Sequence, residues 1–172
     1  MNEAAIRRCR WREPGGIDAA LRIGAFLDEI GIELEASAAE GSLLPGLGVF
    51  RGRVRIDPDV PAYPGDLLHE AGHLAVSDPA VRHSIERIEA DPGDEMAAIA
   101  WSVAAAAACD IGLEILFFDD GYRGGASAYR KNFADKRYVG VPMLAWFGMT
   151  AEPHRAAESG VPAYPAMTRW LR

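Results

Sequence analysis

His69, Glu70 and His73 stand in an HExxH pentapeptide, His69-Glu70-Ala71-Gly72-His73, within a stretch whose pattern predicts a helix. Residues four apart stack on one helix face. Both imidazoles can then reach one zinc ion, and Glu70 beside them can serve as general base toward a metal-activated water. His, Glu and His at these spacings arise by chance in about one chain of this size in a few hundred. The chain has four histidines, and two of them fall in this pentapeptide. The competing reading is a helix that happens to carry two ordinary histidines.

A hydrolytic zinc site takes three protein ligands and leaves the fourth position to water. Glu95 leads the candidates for the third. It follows His73 by 22 residues and falls in the first turn of the next long helix, which a helix–turn–helix return can bring back over the pentapeptide. Acids are common in a first turn because they offset the helix dipole, so Asp94, Asp91, Glu89 and His83 stay open as alternatives. Tyr122, Tyr129, Tyr138 and His154 are available as a second donor to a developing oxyanion. Asp66 and Asp94 are candidates to orient the imidazoles, and each also suits a helix start.

The elements that must position these groups can be read from the pattern. Residues 1–16 read as a loose N-terminal arm carrying Arg7, Arg8, Arg10 and Arg12 around Trp11, and 17–172 as a single domain. Ile17 to Ile30 has a helical period and ends at Gly31. Ile32 to Ala36 alternates as a strand does, and Ser42 to Gly48 suits a loop. Val49–Arg51 and Arg53–Asp57 form a bent strand or a tight hairpin about Gly52. Pro64 opens the HExxH helix, with Asp66 in its first turn. Asp78-Pro79 starts a short helix to about Ile88, and Asp91-Pro92 a long one to about Phe118. Further helices are expected at 127–136, 141–150 and in parts of 151–171. Cys109 falls inside the Ala-rich helix as a small buried group. Trp101, Trp146, Phe147 and Trp170 read as packing residues. The fold class expected is α+β, mostly helical, with a short sheet before the HExxH helix.

Composition narrows the setting. The 172 residues are 49% hydrophobic and 25% charged, ordinary for a folded domain with a real core. The net charge of -7 opposes nucleic-acid and anionic-membrane binding. Met96 to Cys109 is uncharged but alanine-rich, and Asp110 and Glu114 interrupt the weakly apolar run from there to Phe118. A buried helix is therefore expected rather than a membrane span. The two cysteines are too few for a disulfide framework, and no apolar signal segment opens the chain; both points fit the cytoplasm.

With these pieces in place, the chain resembles the gluzincin branch of the zincins, and within it the ImmA/IrrE metallopeptidases. The resemblance rests on the extended segment Gly48 to Asp57, on Asp66-Leu67-Leu68-His69-Glu70-Ala71-Gly72-His73-Leu74, and on Glu95-Met96-Ala97-Ala98 opening a long helix. It covers roughly residues 45–110, and Ile99 stands where the family often has Asn. It implies a small zincin-like domain, Zn2+ held by His69, His73 and Glu95, and Glu70 as catalytic base. It also implies an edge strand that receives the substrate chain. Arg53–Asp57 is the segment expected to do so, by backbone pairing. The activity implied is hydrolysis of peptide bonds in a peptide or a protein, such as a transcriptional repressor. The alternative is an inactive metal-binding domain that acts by holding a partner, against which the intact Glu70 argues.

Overall fold

The computed structural model describes residues 1–39, 44–89 and 91–172. Its class is α+β: helices predominate, and a small sheet precedes the HExxH helix in the chain. Helix α1 (Asn2–Arg8) and helix α2 (Gly16–Ile30) lead into strand β1 (Glu33–Ala36). The segment expected as a loose arm is therefore corrected. Ile6 is wholly buried, and so is Asn2, whose amide donates to the Gly24 and Ile32 carbonyls and whose oxygen accepts from the Leu34 N–H at 2.8 Å. Residues 10–12 run beside 59–62, with the Arg12 N–H donating to the Ala62 carbonyl. These partners lie tens of residues away, so no local pattern announces them.

Strands β2 (Leu47–Phe50) and β3 (Arg53–Ile56) form a hairpin closed by Arg51 and Gly52, both at positive φ (50° and 80°). That turn suits the right-handed twist of the two strands. Of the expected loop 42–48, Leu47 and Gly48 belong to β2, and Ser42 and Leu43 lie outside the described residues. The sheet order is β1-β3-β2, with β3 parallel to β1 and antiparallel to β2. Arg53–Ile56 is thus the central strand, paired on both sides. It cannot receive a further chain, which corrects the expectation placed on it.

Helix α3 (Pro64–Val76) carries the HExxH pentapeptide, with Pro64 in its first turn as expected. Every residue of it is buried. The helix expected after Asp78 is reduced to a single 3-10 turn, Arg82–Ser84. Helix α4 (Pro92–Ala108) starts at Asp91, whose carboxylate accepts from the Gly93 and Asp94 N–H groups. It stops ten residues short of Phe118. Cys109 is its C-cap rather than an interior residue, and Asp110 takes a left-handed φ of 55°, which Asp tolerates better than most residues. Turning there lets α5 (Leu113–Leu116) pack back under α3.

The two long helices α3 and α4 form the heart of the core. Gly72 allows their approach: a Cβ there would lie 2.8 Å from the Ala98 carbonyl oxygen. Buried Ser102 ties them, its hydroxyl lying 2.7 Å from the Ala98 carbonyl and 3.2 Å from that of Leu68. Helices α6 (Ala126–Ala134), α7 (Val141–Trp146) and α8 (Ala156–Ser159) complete the chain's helical part. Trp101 is fully buried and stacks edgewise on Trp170, and Phe147 is buried, as expected of packing residues. Trp146 is 84% exposed and corrects that reading, because the short α7 turns it outward. Among the described residues, no helix is long and apolar enough to cross a membrane.

Candidate metal centre

Helical geometry alone sets the first part of the centre. Asp66, His69, Glu70 and His73 fall at i, i+3, i+4 and i+7, one continuous face of α3. The two imidazoles meet edge to face, with their Nε2 atoms 3.1 Å apart. The first turn of α4 supplies the rest. Glu95 Oε1 lies 3.3 Å from His69 Nε2, and Oε2 lies 3.3 Å from His73 Nε2. Among the described residues, these three form the group that could hold a metal ion, with donor atoms all within 4.8 Å of one another.

Two features fit this donor set to a cation. Donors about 2.0–2.1 Å from a tetrahedral centre lie about 3.3–3.4 Å apart, close to the spacing seen here. The second feature is proton arithmetic. Each Nε2 faces both the other Nε2 and a carboxylate oxygen. With neutral rings, two N–H groups aimed at Glu95 would also oppose one another. One N–H aimed at the other ring leaves a lone pair facing the carboxylate. A single cation at the centre satisfies all the contacts, and imidazole with carboxylate suits zinc and its neighbours.

Burial shapes the electrostatics. The two imidazoles beside Glu95, His69 first and then His73, hold its carboxyl well below the usual carboxylate range. Burial pushes the Glu70 carboxyl up to about 7; His73 opposes the rise, and Asp66 and Glu95 add to it. Burial alone pushes Asp66 up to about 7. The Tyr122 hydroxyl is raised well above its ordinary value, chiefly by burial and then by Asp66.

The remaining candidates are spread widely. Asp91 is an exposed N-cap, and Glu89 and His83 are exposed, with the His83 ring lying against Gly52. Asp94 lies beside Glu95 in the first turn of α4 but outside the donor group. Of the four oxyanion candidates, Tyr122 reaches the centre, its ring 5.6 Å from that of His69 and nearly perpendicular to it. Tyr129 packs behind Tyr122. Tyr138 and His154 line a separate cavity of about 570 Å³ with Glu152 and Tyr164. Asp66 was legible by its register on the ligand face, three residues before His69. Its burial depends on packing that no local pattern encodes. Comparison of the chain with family models, with curated proteins and with solved structures gives no match.

Proposed function

We propose that this protein is a zinc-dependent peptidase of the gluzincin type, with a zincin-like domain. The observation that carries the reading is the meeting of His69, His73 and Glu95 beside the buried Glu70 carboxyl. Zinc held by those three side chains would supply a Lewis acid that polarises a peptide carbonyl and brings the pKa of water from 15.7 to about 7. Glu70 follows His69 on the same face of α3. Burial raises its carboxyl above the usual carboxylate range, the direction that suits a general base that later protonates the leaving amine.

An extended substrate needs a free strand edge. Asn2 occupies the outer edge of β1, and β3 is paired on both sides, which leaves β2 among the described residues. In a hairpin with a two-residue turn, Phe50 and Arg53 exchange the hydrogen bonds and the next pair does not. The Val49 N–H and C=O therefore face away from β3, and β2 packs against α3. Ile85 takes the Arg51 N–H at the far end. Backbone pairing there would lay a peptide alongside the metal centre. A regulatory protein such as a transcriptional repressor is the substrate class in keeping with this reading. A cytoplasmic setting is in keeping with two cysteines that are free and buried.

The test pairs metal content with turnover. The wild type should bind about one zinc per chain and cleave members of a mixed peptide library. Glu70→Gln should keep the zinc and lose about 10²–10⁴-fold in rate. A zinc-loaded wild type that cleaves nothing, with or without candidate repressors, would favour the non-catalytic partner-binding domain.

A further inference from the structure

Three polar groups beside the metal centre lack partners, and they complement one another. His69 turns Nε2 to the centre, so its proton belongs on Nδ1 when a cation is bound. That Nδ1 is buried without a hydrogen-bond partner. The Tyr122 hydroxyl is likewise buried without one, although its ring packs on that of His69. The Asp66 carboxyl is 6% exposed, and no hydrogen bond offsets its burial. It lies one helical turn before His69 on the ligand face, and it is the foremost charge acting on the Tyr122 hydroxyl. Two donors without partners and one acceptor without a partner thus belong to the same face and its covering ring.

We propose that Asp66 is the positioning residue of this centre: its carboxylate accepts from His69 Nδ1–H and from the Tyr122 hydroxyl, and so sets the tautomer and orientation of the first ligand. The inference rests on the reading of this centre as a metal site. Asp66 precedes His69 by three residues on α3, and residues three apart on a helix are neighbours. Tyr122 is held for its part by Phe117 and Tyr129, whose rings lie 5.0 and 5.4 Å away.

A purely structural residue and a positioning residue differ in sign here. Asp66→Leu removes a buried, unpaired carboxyl and should raise the stability of the metal-free chain above pH 7. The same change should weaken zinc binding about 10- to 100-fold, measured by competition with a chromophoric chelator. Asp66→Asn keeps an acceptor oxygen and should recover most of that affinity. In the zinc-loaded wild type, nitrogen-15 NMR should find a slowly exchanging proton on His69 Nδ1, which Asp66→Leu abolishes and Tyr122→Phe keeps. Zinc affinity in Asp66→Leu within twofold of the wild type overturns this inference and leaves the metal reading intact. Parallel losses of stability and affinity also overturn it, by giving Asp66 a structural role. A wild type that binds no zinc overturns both.

Discussion

Glu95 spans the His69 and His73 rings with one carboxylate, each oxygen 3.3 Å from a different Nε2, although 22 residues separate it from His73. One donor pair comes from a single helical turn and its counterpart from the start of another helix. The centre therefore exists only while α3 and α4 stay in contact.

The contribution of Glu95 can be isolated. Glu95→Gln removes a charged donor and should lower zinc affinity by more than about a hundredfold, beyond what loss of an outer partner causes. Asp94→Asn, one residue away and outside the donor group, should leave the affinity near that of the wild type. Titration against a competing chelator reads both. Equal losses in the two variants would remove Glu95 from the ligand set.

Helix contact sets a second outcome. A Cβ at Gly72 would meet the Ala98 backbone oxygen at 2.8 Å and the Ser102 hydroxyl at 3.0 Å. Backbone cannot swing aside, so Gly72→Ala should part α3 from α4. The expected cost is about 1–3 kcal/mol in urea unfolding, with weaker zinc binding alongside. An unchanged midpoint would show that the two helices absorb a methyl group freely.

Stability should depend on pH through Asp66 when metal is stripped by chelator. Its folded pKa of about 7 is raised above the ordinary 3.8 by burial, so the folded state favours the protonated form. Its stabilising effect is complete below about 4 and is lost as pH rises through about 7. Asp66→Asn cannot ionise. It should gain on the wild type from pH 5 to pH 8 and lose that advantage below about 4. Denaturant midpoints of the two chains at pH 4, 6 and 8 give the comparison. A constant difference would mean that Asp66 does not titrate on unfolding.

The N-terminal helix makes its own prediction. Asn2→Ala leaves the Leu34 N–H and the Ile32 carbonyl without their buried partner. The cost should be about 1–3 kcal/mol, or a fall of about 2–12 °C in Tm for a chain of this size. Asn2→Asp keeps the acceptor for Leu34 and loses the donor, and should fall further because a charge is buried. A scanning calorimeter distinguishes these, and no change in either would mean that α1 is dispensable to the sheet.

Both thiols should be silent in the native chain. Burial pushes Cys9 up to about 11 and Cys109 up to about 12, so little thiolate forms at pH 8. Iodoacetamide should add no mass to the folded protein and two adducts to the urea-unfolded one.

The residues that act through one helical turn were legible in the chain alone. The four-residue spacing of His69 and His73, Pro64 at the helix start, the Asp91 cap and the turn at Gly52 are local devices whose geometry comes from backbone sterics and short-range hydrogen bonds. Tertiary structure decided the rest. It brought Glu95, of the five candidates, to the imidazoles, because only packing of α4 on α3 determines which first-turn side chain faces them. It folded residues 2–8 into the core through Asn2, ended the alanine-rich helix at Ala108, made Arg53–Ile56 a central strand and left Trp146 in solvent. Each of those outcomes depends on surfaces contributed by distant segments, and a chain's periodicity reports only the preferences of its neighbours.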